Sequence, residues 1–387
     1  MIKISLFRLT LGFILALAVP LSVLAQANES VEPFKVGTFA VDNTPFVGLV
    51  VRDDSLIVDI RAANRALQLQ SRYSELNIPD NMLAFIEQYE YGLKFWVYEL
   101  MNWLVAEELL ESDLPAYVIP VEDVDILAPI QYPSKIMNAA VNFYTHACEG
   151  CSDAELSAMT RQRQENRGVP YLFLKPTRGV VIGDGDDIIM PYGRDEIEFE
   201  VEMAIVFGKS GKYISASRAY DHVFGYMVAM DISDRGGRPP GGYGLQSDWF
   251  VSKGHDTFAP QGPWIVPKEF YGDPMQRLHQ ITVIDGVTVQ EAQAGDMIHN
   301  IPELIEYASS LITVFPGDVL QSGTSGGTGA GRVQRATGSG FLVDGETIEA
   351  SIEGIGTLRH RVRAEQSVPA DLSGSQLPPT RTYRDRD

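Results

Sequence analysis

Two stretches carry the side chains that could do chemistry. Residues 142–155 read NFYTHACEGCSDAE, with a histidine, a glutamate and both cysteines of the chain between positions 146 and 151. Three chemistries compete for it: a CxxC redox or haem motif, a metal knuckle, or a His/Glu pair doing acid–base work. A c-type haem needs CxxCH, and here the histidine precedes the pair. A zinc set of His146, Cys148 and Cys151 lacks an evident fourth ligand. A thioredoxin-like pair would want a βαβ setting. The second stretch, residues 194–209, reads RDEIEFEVEMAIVFGK and alternates Glu196, Glu198, Glu200 and Glu202 with Ile197, Phe199, Val201 and Met203. On a strand all four carboxylates project to one side. The apolar run that follows implies that the strand enters a core, where carboxylates need a counter-charge. A hard divalent cation would supply one, and a solvated edge strand is the other reading; the pattern alone leaves both open.

Further polar groups fall at strand ends and turns. Asp231 closes the apolar run GYMVAM and is followed by Arg235; Lys253, His255 and Asp256 sit among aromatics and turns. A glycine-rich loop, residues 323–331, could aim backbone N–H groups at an anion. It matches G-x-S-x-G formally, but TGAGR cannot open the helix that a nucleophile elbow requires. No Gly-Lys-Ser/Thr follows, so it is not a P-loop.

The elements that must position these groups are legible in outline. Residues 34–60 alternate β-branched runs with turn signals at Asp42-Asn43 and Asp53-Asp54, a small β-meander. From Asp80 to Ser112 the apolar positions recur at three- and four-residue steps, which predicts helix, capped by Asp80 or Asn81 and broken at Gly92. Residues 115–133, with four prolines, read as a linker. Residues 135–364 are mostly short strands with Gly/Pro turns and a few helices, one over 301–311; a closed or rolled β architecture suits them better than βαβ repeats. Residues 1–27 show two basic residues, an apolar run and Ala25-Gln26-Ala27, the order of a secretory signal peptide, which predicts an exported, periplasmic or secreted protein with no membrane attachment after cleavage. The expected divisions are 1–27 signal peptide, 28–128 small N-terminal α+β domain, 129–364 catalytic domain and 365–387 disordered tail. A formal charge of −20 argues against nucleic-acid or anionic-membrane partners. Any anionic substrate must then meet a local cation.

Taken in order, these segments resemble the fumarylacetoacetate hydrolase family. The acidic-aromatic-Glu-x-Glu run ending in Gly208-Lys209, the Gly225-Tyr226 to Arg235 segment, SKGHDTFAPQGPW, the helix with its PGD turn, and the GTSGG loop are each similar to a family motif. The resemblance covers roughly residues 135–363. It implies a mainly β with α fold, a mixed β-sandwich roll, and Mg²⁺ (or Mn²⁺ or Ca²⁺) held by Glu200, Glu202 and Asp231. It further implies that Lys175 faces the substrate carboxylate or enolate, that Arg235 and Lys253 contact substrate, and that Thr324 binds its carboxylate. His146 and Glu149, at i and i+3 of a mobile lid, would share one face, with Glu149 orienting an imidazole that takes a proton from water. Phe143, Arg238 and Ser325 depart from the family's usual tyrosine, glutamine and proline. The activity this implies is metal-dependent C–C hydrolysis of acylpyruvate-type acids; decarboxylation, tautomerisation, hydration or non-catalytic binding of oxo-acids are the alternatives. The partner is a small oxo-acid and the expected assembly is a homodimer. Cys148 and Cys151 are expected to form a disulfide that stiffens the lid.

Overall fold

The computed structural model describes residues 31–70, 76–237, 248–331 and 339–369. The N-terminal meander forms as expected: Lys35–Val41, Thr44–Val51 and Leu56–Asp59 pair antiparallel in sequence order. Asp42 and Asn43 both take positive φ (50° and 59°), as a two-residue hairpin turn demands, and Asn and Asp tolerate that conformation best. Asn81 caps the helix Met82–Gln88, its Oδ1 accepting from Ala84 N at 2.9 Å. Gly92, at φ 126° with ψ −26°, turns the chain into a second helix, Lys94–Ala106. The predicted helix over 301–311 is Ile301–Leu311, closed by an Asn300/Glu303 capping box.

Residues 115–133 do more than link. Val118–Pro120 pairs with Leu56–Asp59, and Asp125–Leu127 with Lys35–Val41. The prolines sit at strand ends and in the turns between, where a missing N–H costs no ladder bond. Lys35–Val41 joins Ala259–Pro267 through Val36 and Ile265. One twelve-stranded sheet therefore runs from the N-terminal meander to the strands that carry the site, across the boundary expected at 128/129. A five-stranded sheet, built on His279–Ile284, Val287–Gln293, Thr347–Ile352, Gly356–Ala364 and Ile188–Met190, faces it over a shared apolar core. Strands dominate, as the sequence implied.

The central strand Val201–Phe207 is buried throughout. Met203, Ile205 and Phe207 point into the core between the sheets, whereas Ala204 and Val206 join a second core with Phe85, Tyr89 and Val97 of the N-terminal helices. Among the described residues no helix is long and apolar enough to cross a membrane.

Candidate active site

Strand register brings the acids together. Val201–Phe207 pairs antiparallel with Val223–Met230, Val201 opposite Met230. One step further, Glu200 lies opposite Asp231, and Asp231 N donates to Glu200 O at 2.9 Å. Glu200 and Glu202 share a face by strand alternation, so Glu200, Glu202 and Asp231 converge, with one carboxylate oxygen from each lying within 4.8 Å of the others. All three are buried, and so is Glu198; only Glu196 is exposed. That removes the solvated-face reading for all but Glu196.

The electrostatics mark the cluster as short of positive charge. Burial, then the charges of Asp231 and Glu200, push the Glu202 carboxyl well above the usual range. Burial and Glu200 raise Glu198 to about 7. Burial would raise Glu200 too, but Lys253 and Arg235 outweigh it and hold its carboxyl far below the ordinary value. Lys253 Nζ donates to Glu200 at 3.0 Å, and to Asp231 and Ser233 Oγ at 2.5 Å each. Burial opposes its charge, yet Asp231 and Glu200 raise its pKa. Arg235 bridges Glu198 and Glu200. Among the described residues four buried carboxylates thus face Lys175, Lys253 and Arg235, one more negative charge than positive if all are ionised. An oxygen-only donor set with surplus negative charge fits a hard divalent cation.

Lys175 sits differently from the expectation. Its ammonium is buried behind Asp231 and donates to that carboxylate, to Ile232 O at 3.0 Å and to Phe258 O at 2.7 Å. With three donors spent, it holds Asp231 from the rear rather than facing the cavity. Burial lowers its pKa. Arg235, Lys253 and Thr324 do line the cavity, with His146 and the three acids; Phe173 and Trp249 form an aromatic wall. This cavity is narrow, about 40 Å³. A wider groove of about 330 Å³ beside Phe34 and Phe270 holds the Lys35–Asp54 ion pair and no comparable convergence of acids, so size alone does not mark the site.

His146 and Glu149 follow Ile136–Ala139, which Val319–Gln321 separates from Val201–Phe207 in the sheet. Ile136–Ala139 and Val319–Gln321 run parallel, so the loops that follow them emerge at the same sheet end. Asn142 ties them: its Nδ2 donates to His299 O at 2.9 Å and Ser322 O at 2.8 Å, and its Oδ1 accepts from His299 N at 2.9 Å. A side chain at Gly323, φ 91°, would collide with Asn142 Cβ at 2.7 Å, so glycine is required there. On the short helix Tyr144–Ala147, His146 Nδ1 lies 2.9 Å from Glu149 Oε1. Burial would lower the imidazole pKa, but Glu149 and the nearby acids raise it. Glu149 also accepts from Thr328 Oγ1 at 3.0 Å and Gly327 N at 3.3 Å, while Thr145 Oγ1 accepts from Gly326 N at 3.0 Å. The lid thus rests on the glycine-rich loop. Cys148 and Cys151 are joined as a disulfide that brackets Glu149. Residues 322–331, which follow Val319–Gln321, form no helix, consistent with rejecting the nucleophile elbow. Arg238 lies outside the described residues.

Sequence reasoning missed Gln280 and Gln290, and gave no role to Ser233. Ser233 Oγ accepts from Lys253 and donates to Asp231 O at 2.8 Å. Gln280 and Gln290 hold the Val201 peptide between the two glutamates. A serine or glutamine in a strand has no spacing signature; only Ser233 lies within a family-like segment, Gly225-Tyr226 to Arg235.

Residues 135–363 match the family described as fumarylacetoacetate (FAA) hydrolase C-terminal. Oxaloacetate tautomerase YisK of Bacillus subtilis is 33% identical over 333 residues, 85% of this chain and 99% of its own length. The mitochondrial oxaloacetate tautomerase FAHD2A of Bos taurus is 30% identical over 323 residues, 82% of this chain and 87% of its own. The crystal structure of maleylpyruvate hydrolase from Sphingobium sp. SYK-6 with manganese(II) and pyruvate superposes with a TM-score of 0.61 at 27% identity, over 86% of this chain and all of that one. These relatives correct one expectation. Those whose names state a compartment are mitochondrial, in cattle, human and rat, so the signal peptide and the periplasmic or secreted location do not stand. A basic and apolar leader is a compositional cue that does not by itself fix a compartment, and residues 1–27 lie outside the described residues.

Proposed function

The chain belongs to the fumarylacetoacetate hydrolase family, and from that premise we propose that it is a divalent-metal-dependent enzyme interconverting the keto and enol forms of a short 2-oxo acid of oxaloacetate type. The observation that carries this reading is the oxygen triad Glu200/Glu202/Asp231 facing the His146–Glu149 pair across one narrow cavity. The oxaloacetate tautomerases among its relatives supply the substrate class.

Glu200, Glu202 and Asp231 would hold Mg²⁺, Mn²⁺ or Ca²⁺. When bound, the ion supplies Lewis acidity at the substrate's oxo group and the charge needed beside an anionic acid. Lys175 holds Asp231 in place, and Lys253 spans Glu200, Asp231 and Ser233, so the ligands are positioned before substrate arrives. With Nδ1–H donated to Glu149, His146 presents Nε2 as the base. It takes a proton from the carbon beside the oxo group and delivers it to the oxo oxygen; the reverse path regenerates the keto acid. Thr324 and Arg235 take the substrate's carboxylates, and Phe173 with Trp249 covers its carbon skeleton.

A second reading, C–C hydrolysis of an acylpyruvate, uses the same His146 base on a water molecule and is favoured by the likeness to maleylpyruvate hydrolase. Enol absorbance with oxaloacetate and cleavage of an acylpyruvate, each with Mn²⁺ or Mg²⁺ and again with EDTA, separate the two. Metal-dependent tautomerisation without cleavage is expected; turnover indifferent to EDTA, or none on either acid, overturns the proposal. The homodimer remains the proposed assembly, tested by light scattering.

A further inference from the structure

We propose that Gln290 aims the Thr324 hydroxyl proton into the active-site cavity, and is therefore a positioning residue for the substrate carboxylate. This deepens the oxo-acid reading above and rests on it. Gln290 lies on the strand Val287–Gln293 of the second sheet, 1% exposed and directly opposite Thr282 in the ladder.

Two backbone groups settle which way its amide points. Val201 N–H can only donate, and it faces Gln290 Oε1 at 3.3 Å. Ser325 C=O can only accept, and it faces Nε2 at 2.9 Å. Reversing the amide would set donor against donor and acceptor against acceptor. The remaining Nε2 proton therefore points at Thr324 Oγ1, 2.9 Å away, and the Thr282 hydroxyl donates to Oε1 at 2.9 Å. Every polar position of the buried amide is used.

The consequence falls on Thr324. A hydroxyl has one proton to give. Because Gln290 donates to its oxygen, Thr324 must spend its own proton elsewhere. Thr324 is 2% exposed and lines the cavity with His146, Glu202 and Lys253. The order Thr282, Gln290, Thr324 is a chain of donors that all point the same way, and each bond polarises the next. Its open end is a donor suited to a carboxylate oxygen. Gln290 thus directs that donor toward an anionic or carbonyl acceptor at this end of the cavity.

Gln290 also touches the peptide between Glu200 and Glu202, so an effect on metal ligands must be separated. Gln280 provides the control, since its Nε2 donates to the other backbone group of Val201, its carbonyl oxygen, at 3.1 Å and has no bond to Thr324.

The test compares Gln290→Met, the near-isosteric Gln290→Glu, Thr324→Val, the Gln290→Met/Thr324→Val double variant and Gln280→Met, each at saturating Mn²⁺. Oxaloacetate KM and kcat are measured, along with calorimetric affinity for oxalate, which needs no turnover. Thr324→Val and Gln290→Met should each raise KM and weaken oxalate about tenfold, as loss of one hydrogen bond to a charged group does, with kcat changed far less. The double variant should match Thr324→Val alone. Gln290→Glu, whose carboxylate draws the Thr324 proton toward itself, should be at least as impaired. Gln280→Met should shift Mn²⁺ affinity and leave oxalate affinity within twofold. The inference fails if Gln290→Met leaves oxalate affinity at the parent level, if the two penalties multiply, or if Gln280→Met copies Gln290→Met. It fails equally if Thr324→Val leaves oxalate affinity unchanged. Absent metal-dependent turnover with oxalate behaving as expected would strike the proposed reaction and leave the positioning role standing.

Discussion

Charge balance at single residues makes the strongest claim about the site. With Glu202 pushed far above the usual carboxylate range by burial and by Asp231 and Glu200, the metal-free protein gains nothing from that charge. Glu202→Gln should therefore keep or raise the melting temperature of metal-free protein, since the amide oxygen can still accept from Gly323 N. The same variant should lose the upward shift that Mn²⁺ gives the parent, because a ligand stabilises only as far as it binds. Differential scanning fluorimetry with and without Mn²⁺ checks both signs, and an undiminished Mn²⁺ shift in the variant would refute the ligand assignment. At the base, Glu149→Gln should cut kcat about 10²-fold or more by letting the imidazole choose the wrong tautomer, and His146→Ala should cost at least as much, with part regained in added imidazole. Alternation and an apolar continuation made the shared, core-entering face of the glutamates legible, whereas the choice of Glu200, Glu202 and Asp231 came from the family resemblance. The rear placement of Lys175 was not, because LFLKPT says nothing about which side of Asp231 the ammonium reaches. Gln290 was invisible because an amide becomes informative only once its partners are known.

Elements transmit these positions, and the second sheet has its own sensitive group. His360 on Gly356–Ala364 is 2% exposed; its Nδ1 donates to Asp186 O at 2.8 Å, and its Nε2 is buried with no hydrogen-bond partner among the described residues. Burial lowers its pKa despite the opposing pull of Asp184, Asp186 and Asp187. With the folded pKa below the unfolded value of 6.5, the unfolded chain binds the extra proton first as pH falls. Stability from this group is therefore complete above pH 6.5 and is lost below it, at no more than about 1.4 kcal/mol per pH unit. Urea melts of the parent and His360→Gln from pH 7.5 to 5 should show the parent losing stability more steeply; parallel curves would refute this. The sequence showed the meander, the break at Gly92 and the helix over 301–311 because caps, turn residues and apolar spacing are local. It misplaced residues 115–133 because short edge strands rich in proline look like linkers until the strands they pair with are known.

At the scale of the molecule, the site depends on a layer that contributes no catalytic group. The strand face that carries Glu200 and Glu202 carries Ala204 and Val206 next, and those two pack with Phe85, Tyr89 and Val97 from the N-terminal helices. Tyr89 and Phe85 meet Phe224 of the adjoining strand edge-on, at 4.9 and 6.3 Å between ring centroids. Sliding that strand by one residue would turn the acids into the opposite core, so the N-terminal layer fixes the register of the three acids. The sheet and its cores are continuous, so the described chain should unfold as one cooperative unit despite its length. Phe85→Ala removes a fully buried ring and should cost about 3–5 kcal/mol, lowering the melting temperature of a single transition. Because binding energy adds to the stability of the whole unit, Mn²⁺ should raise that same transition in parent and variant alike. Calorimetry resolving two transitions, with the Mn²⁺-responsive one unmoved by Phe85→Ala, would show that the site holds its register without the N-terminal layer.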